Sequence, residues 1–313
     1  MASACSSACN LILITSPEVN QPQDLEEVAR WIREINPRVH ADVRCDQHFT
    51  RRKWLWALRR TMVFSPAKSH HFKVARGRVY QGSPLAKSEE LTALEQAGVP
   101  IPPWAILTED DPTPDLSHLG EYVVVKPDRG GRGAKVKIVR TSKLRWEPQE
   151  TKLAGKSNTT AVQRFIYTGP WPVSYRVTTL FGQCLFALKV EANHDRRALP
   201  GADAFATHPG LSVVSNSKGC TFCFENDPEI IRFGEAAHRA FPNIPLLGVD
   251  IVRDATDGKL YVLEVNASGF VWHFTSRLGL GVQNQFNLNF ESQFNGRRKA
   301  AEILASKAME LAA

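Results

Sequence analysis

The residues best placed to do chemistry lie near the end of the chain, in LLGVDIVRDATDGKLYVLEVNAS at residues 246–268. Asp257-Gly258 is a turn signal between two apolar runs, so this segment predicts a β-hairpin. Glu264 and Asn266, two apart on one strand, share a face. With a loop over residues 255–259, Asp254 pairs with Leu260, and the register sets Asp250 opposite Glu264 on that same face. Two carboxylates and an amide then converge. Facing carboxylates in apolar strands are destabilising unless something cationic sits between them. An oxygen-only set suits Mg²⁺, which takes one or two carboxylates and completes its octahedron with water and phosphate oxygens. A solvated polar edge could carry the same residues, but residues 260–265 are too apolar for an exposed edge.

A second group is VVVKPDRGGRGAKV at residues 123–136. Gly130, Gly131 and Gly133 would let backbone N–H groups approach phosphate oxygens, with Lys126 at the strand end as a point charge. The spacing is neither that of a P-loop nor a GxGxxG, and a mobile basic hairpin turn would read the same. A third group comes from hairpin arithmetic. With Gly182-Gln183 as a two-residue turn, Phe181 pairs with Cys184, and Arg176 falls opposite Lys189. Facing cations call for an anion between them, unless the two long side chains diverge into water.

These residues need scaffolding, and the rest of the 313-residue chain can provide it. A composition of 43% hydrophobic and 23% charged residues is that of a globular protein with room for two or three domains. No apolar run reaches signal-peptide or membrane-span length, so a cytoplasmic protein is expected. The net charge of +7 favours anionic ligands but is too modest to demand nucleic acid. The basic run at residues 51–60 reads as a surface helix with Trp54, Leu55 and Leu58 on one face. Six cysteines without a secretory signal read as thiols. Cys220 and Cys223 form a CxxC inside a strand-like run, where they point to opposite faces and no second pair completes a zinc site.

Along the chain, residues 1–10 are polar and aperiodic, which predicts a disordered tail. Residues 11–85 alternate short apolar runs (11–15, 39–43, 61–64) with helical patterns (24–35, 50–60), the mark of an α/β domain. A helix over 88–97 ends at Gly98, in the position of a C-cap. Period-two strands follow at 122–126, 135–139, 173–181 and 184–191. Residues 192–210 form a long polar stretch of the kind that acts as a lid. Helices are expected over 228–241 and 297–311, the second closing the chain.

In this order, the pieces resemble the ATP-grasp superfamily, and within it the carboxylate–amine ligases of the ribosomal-protein glutamate ligase and D-alanine:D-alanine ligase type. KSEELTALEQAGVPIP looks like the family's lysine-led helix and its turn, VVVKPDRGGRGAKV like its phosphate-clasping strand and loop, and AVQRFIYTG like the hinge that holds adenine. SYRV stands where the family has an arginine strand, and VDIV with LEVNAS resembles its paired metal strands. The resemblance implies nucleotide binding by Lys87, Lys126, Gly130, Gly131, Gly133, Gln163, Phe165 and Ile166. It also implies phosphate or acyl-phosphate contacts from Arg176 and Lys189, and Mg²⁺ ligation by Asp250, Glu264 and Asn266. Two departures stand out: no Asp or Glu lies between Ala161 and Val190 to hold ribose, and Gly269 replaces a frequent Pro ahead of Trp272 and His273.

The implied fold class is mixed α/β and α+β. It comprises an N-terminal α/β domain (11–85), a central subdomain with the Gly-rich hairpin (86–165) and a C-terminal α+β subdomain with the metal strands (166–313). The implied activity is an ATP-dependent, ADP-forming ligase that joins a carboxylate to an amine through an acyl-phosphate, with ATP and two Mg²⁺ ions. A small-molecule kinase of related fold, or a non-catalytic nucleotide-binding module, would share these features. The expected partners are a small-molecule carboxylate and an amine or amino acid. The stretch with Arg164, Arg176, Lys189, Arg196 and Arg197 further suggests an acidic carboxylate substrate. Neither membrane nor nucleic acid is expected, and a homo-oligomer is left open.

Overall fold

The computed structural model describes residues 9–16, 19–45, 59–69, 74–112, 115–130, 135–147, 149–151, 155–157, 159–169, 171–193, 204–206, 219–269 and 271–312. Three sheets carry the fold. The first is parallel, in the order β2-β1-β3-β4, with β1 (Cys9–Thr15), β2 (Val39–Cys45), β3 (Thr61–Ser65) and β4 (Gly77–Gln81). Its first strand starts at Cys9 rather than Leu11, because Cys9 and Asn10 already pair with β2 and are buried. Helix α1 (Pro22–Ile35) crosses from β1 to β2 and buries Leu25, Val28, Ala29 and Ile32 against this sheet, the 3.6-residue stripe its sequence carries. The strand at 77–81 gave no periodic signal. Gly77 admits it, since at φ +138° a side chain there would meet the Thr61 carbonyl oxygen at 1.9 Å. The helix expected over 50–60 lies outside the described residues except for its last two.

The second sheet is antiparallel, in the order β13-β7-β6-β10-β5, built from β5 (Trp104–Thr108), β6 (Tyr122–Pro127), β7 (Lys137–Arg140), β10 (Thr159–Arg164) and β13 (Ala204–Ala206). A two-stranded ribbon, β8 (Gln149–Thr151) with β9 (Gly155–Ser157), accompanies it. The stretch at 192–210 thus supplies an edge strand, and most of its remainder lies outside the described residues.

The third sheet is antiparallel, β14-β12-β11-β15-β16, from β11 (Val173–Leu180), β12 (Gln183–Ala192), β14 (Cys220–Phe224), β15 (Leu246–Arg253) and β16 (Leu260–Asn266). One face packs on α3 (Pro228–His238) and on α2 (Lys87–Gln96), through Val177, Val249, Ile251, Leu94 and Ile230. At one end, the opposite face shares a core with the first sheet, α1 and the closing helix α6 (Gly296–Ala312), through Leu180, Phe186, Leu246, Trp272 and Ala301. Two short helices, α4 (Arg277–Phe286) and α5 (Phe290–Phe294), precede α6. Cys220 is buried and Cys223 exposed, as their opposite faces require.

The β11–β12 hairpin corrects the expected register. Its turn is Phe181-Gly182, with φ of 46° and 80°, and a bulge between Thr178 and Thr179 shifts the ladder again. Arg176 therefore pairs with Leu188, and Lys189 pairs with Tyr175 on the other face. A positive φ at Phe181 is strained for an aromatic residue, which is why the Gly-Gln dipeptide looked like the turn. Among the described residues, no helix is long and apolar enough to cross a membrane.

Candidate active site

The β15–β16 hairpin places Asp250 opposite Glu264 and Gly248 opposite Asn266. Its loop is one residue longer than arithmetic suggested, with Arg253 rather than Asp254 pairing with Leu260. A bulge after Asp250 restores the count. The two slips cancel, so the carboxylates face each other as the spacing required. Arg176, aligned with Asp250 from β11, lies on the same face.

Asp250 is buried and bound three times. Arg176 donates Nε to Oδ1 and Nη2 to Oδ2, both at 2.7 Å, and Asn266 donates Nδ2 to Oδ2 at 3.0 Å. Burial pushes the Asp250 carboxyl up, against the opposing pull of the Arg176 guanidinium. The same burial works against the charge on Arg176, but Asp250 outweighs it and holds the guanidinium raised. Glu264 lies 3.2 Å from Lys87 Nζ. Burial alone would raise its carboxyl, yet the Lys87, Lys126 and Arg176 charges hold it down at about 2.

Lys87 opens α2. Its neighbour Ser88 donates its backbone N–H to Asp128 Oδ1 at 2.9 Å, so a side chain 40 residues away caps the helix and fixes where Lys87 points. Burial would lower the Lys87 ammonium, but Glu264 and Glu90 outweigh it and hold it raised. Lys126 reaches from β6 of the second sheet, donating to Gln163 Oε1 at 2.7 Å and to the Leu263 carbonyl at 3.3 Å. Surrounded by neutral acceptors, its ammonium is lowered by burial, with Glu264 pulling the other way.

Glu90 belongs to this group and escaped the sequence reading. It is 3% exposed, accepts from Lys87 Nζ at 3.2 Å on both oxygens, and burial lifts it to about 7 despite Lys87. The available signal was its position three residues after Lys87, on the same helical face. Lys87, Lys126 and Arg176 stand beside three carboxyl groups, Glu90, Glu264 and Asp250, of which Glu90 is lifted by burial to about 7. Lys189 stays apart: it pairs with Glu191 at 2.6 Å on the α3 side of the sheet. Arg164 is exposed, and Arg196 and Arg197 lie outside the described residues.

Two features suit a nucleotide. Gln163 is 1% exposed, and its Nε2 is buried without a partner among the described residues. The Phe165 N–H is already taken by the Tyr122 carbonyl at 3.0 Å, whereas Ile166 has no backbone partner among the described residues. Gly130 is exposed at the end of the β6 segment, and Gly131 and Gly133 lie outside the described residues. For a metal, Asp250, Glu264 and Asn266 form an all-oxygen donor set. Asn266 spends its Nδ2 on Asp250 and leaves Oδ1 available. No third acid or histidine joins them as a metal cluster among the described residues. The set therefore fits a cation such as Mg²⁺ that shares its coordination with phosphate and water.

No family model matches the sequence, and comparison with curated protein sequences finds no match. Solved structures do match. The chain is similar to the ATP-grasp ligase PsnB complexed with a precursor peptide and AMPPNP, with a TM-score of 0.54 and 16% identity over 96% of this chain and 98% of that one. It is similar to D-cycloserine synthetase DcsG, with a TM-score of 0.51 and 16% identity over 96% and 99% of the two chains. A RimK domain ATP-grasp protein from Sphaerobacter thermophilus aligns with a TM-score of 0.51 and 12% identity over 96% and 99%. The chain has the fold of the ATP-grasp ligases over nearly its whole length, in the mixed α/β class expected from its sequence.

Proposed function

We propose that the protein is an ATP-dependent ligase that joins a carboxylate to an amine. The observation that carries this reading is the single face on which Asp250, Glu264 and Asn266 meet Lys87, Lys126 and Arg176. ATP lies between the second and third sheets, where Lys126 already bridges them. Gln163 Nε2 and the Ile166 backbone meet the adenine edge, and Lys87 and Lys126 donate to the phosphates. A pair of Mg²⁺ ions held by Asp250, Glu264 and Asn266 would offset charge on the phosphate oxygens.

The substrate carboxylate oxygen attacks the γ-phosphorus, and the bond to the β–γ bridging oxygen breaks to release ADP. The amine then attacks the acyl carbon, phosphate departs with the electron pair of the C–O bond, and the nitrogen gives up a proton. Arg176, whose Nη1 has no partner among the described residues, serves the transferring phosphoryl group and the acyl-phosphate oxygens. No protein nucleophile is required. Of the chains of similar fold, PsnB is complexed with a precursor peptide and DcsG is a D-cycloserine synthetase. The carboxylate is accordingly carried by a small molecule or by a peptide.

The test is ATP turnover with pools of carboxylates, peptides and amines, followed by mass spectrometry. ADP and phosphate formed in step with an amide are expected. AMP and pyrophosphate would overturn the reading, and a stable phosphorylated product formed without an amine would replace it with a kinase.

A further inference from the structure

β16 forms an edge of the third sheet, so its outward backbone groups must find partners outside that sheet. Three consecutive residues of the strand meet side chains of the site. The Leu263 carbonyl accepts from Lys126 Nζ at 3.3 Å, Glu264 pairs with Lys87 Nζ at 3.2 Å, and the Val265 N–H donates to Glu90 Oε2 at 3.4 Å. Glu90 also accepts from Lys87 Nζ at 3.2 Å on both oxygens. The Lys87 ammonium is therefore enclosed by two acids. Behind it lies Glu90, with a side chain 4% exposed, and on the open side Glu264, 27% exposed. The backbone of Lys87 is fixed as well, since its N–H donates to the Asp128 carbonyl at 2.8 Å.

Two acids on one lysine exceed what charge balance needs. Burying a carboxylate is costly, and an apolar side chain would fill the contact between α2 and β16 more cheaply. The stability of the fold gives no account of Glu90, whereas its grip on Lys87 does.

Resting on the ligase reading, we propose that Glu90 is a positioning residue for Lys87, holding the ammonium still while its other partner changes from Glu264 to a nucleotide phosphate. In that reading Glu264 is a metal ligand, so a cation arriving with the nucleotide draws this carboxylate away from Lys87. Tied to Glu264 alone, Lys87 would follow it or swing toward solvent. Tied to Glu90, it exchanges one partner for a phosphate oxygen and the rest of the side chain stays where it is.

The sign of one measurement separates this role from that of a spectator charge. Removing a negative charge beside a phosphate site strengthens anion binding when nothing else changes. Positioning requires the reverse. Glu90→Gln keeps the side-chain volume, but whichever way the amide turns, its NH₂ replaces an oxygen 3.2 Å from the Lys87 ammonium, and donor faces donor. Lys87 is then pushed from its place.

Calorimetry with ADP·Mg²⁺ on the full chain tests this at pH 8, above the value of about 7 to which burial lifts Glu90 despite Lys87. Glu90→Gln should bind ADP·Mg²⁺ at least about fivefold more weakly than wild type, and in the Lys87→Met background the same change should have less than about a twofold effect, because no ammonium is left to place. Glu90→Met, apolar and of similar length, should show the same loss and the same dependence on Lys87, and replaces the amide variant if that one does not fold. Unchanged or tighter binding in these variants overturns the proposal. An equal loss with and without Lys87 also overturns it, since Glu90 would then act on the fold and not through the lysine. Failure of the wild-type protein to bind ADP·Mg²⁺ overturns the ligase reading instead.

Discussion

Arg176 grips Asp250 through two parallel bonds of 2.7 Å, and 3.2 Å separate Lys87 from Glu264 on the facing strand. Each carboxylate suited to a metal is thus already neutralised by a cation suited to phosphate. A divalent ion arriving alone must displace Arg176 and Lys87 and leave two buried cations without those partners, which is costly. A nucleotide offers those cations phosphate oxygens and frees the carboxylates. Calorimetry should therefore find Mg²⁺ binding without nucleotide at least about tenfold weaker than with ADP, and by linkage Mg²⁺ should strengthen ADP binding by the same factor. Equal Mg²⁺ affinity with and without ADP would contradict this account.

Glu264→Gln keeps the shape and the strand pairing of β16 but removes a charge from the donor set, and Asn266→Asp adds one next to Asp250. Turnover should drop by about a hundredfold or more in each, with the melting temperature within a few degrees of wild type. Near-normal turnover of Glu264→Gln at ordinary Mg²⁺ would move the metal elsewhere.

The hairpin carrying Asp250 and Glu264 was legible because alternation, an Asp-Gly turn and a run of apolar neighbours all limited the register. Arg176 was legible as a residue but not in its pairing. The Phe181-Gly182 turn and the bulge at Thr178 depend on how β11 fits β15, which no local pattern records. Lys189 was misjudged through the same slip, since moving one position along a strand sends a side chain to the opposite face. Glu90 stayed hidden for another reason. An acid in the first turn of a helix reads as a favourable dipole contact, and only the packing of α2 against β16 shows that it is buried. The strand at 77–81 went unseen because it is short and largely polar, and a parallel neighbour supplies its pairing.

Among the described residues, Lys126 is a buried ammonium bound only to neutral oxygens, and Gln163 Nε2 has no partner. Gln163→Glu gives Lys126 a carboxylate partner and removes that donor. The nucleotide-free protein should melt a few degrees higher while its affinity for ADP·Mg²⁺ falls at least about tenfold, a trade of function for stability. An unchanged ADP affinity would take Gln163 out of the nucleotide site.

His238 offers a test of stability independent of the active site. Its ring is sealed between α3 and β11, with Nδ1 at 2.7 Å from the Thr179 hydroxyl and Nε2 at 2.9 Å from the Ile244 carbonyl. Both nitrogens are used by a neutral ring whose Nε2–H donates to Ile244 and whose Nδ1 accepts from Thr179. Burial holds its pKa down at about 4, against the Ile244 contact, which favours the charged form. In the unfolded chain the ring titrates near its ordinary value of 6.5. Between those two values the unfolded state binds the extra proton, so stability is complete above pH 6.5 and is lost as the pH falls toward 4. By pH 5.5 the loss from this residue should be about 1 kcal/mol. His273, held at about 3, adds to the same slope. Urea unfolding at pH 7.5 and pH 5.5 reads the difference. His238→Gln should be less stable than wild type at pH 7.5, because the Thr179 and Ile244 bonds weaken, but should lose less on acidification. If wild type and His238→Gln lost stability in parallel between the two pH values, the ring would be charged in the folded protein and the sealed neutral arrangement would be wrong.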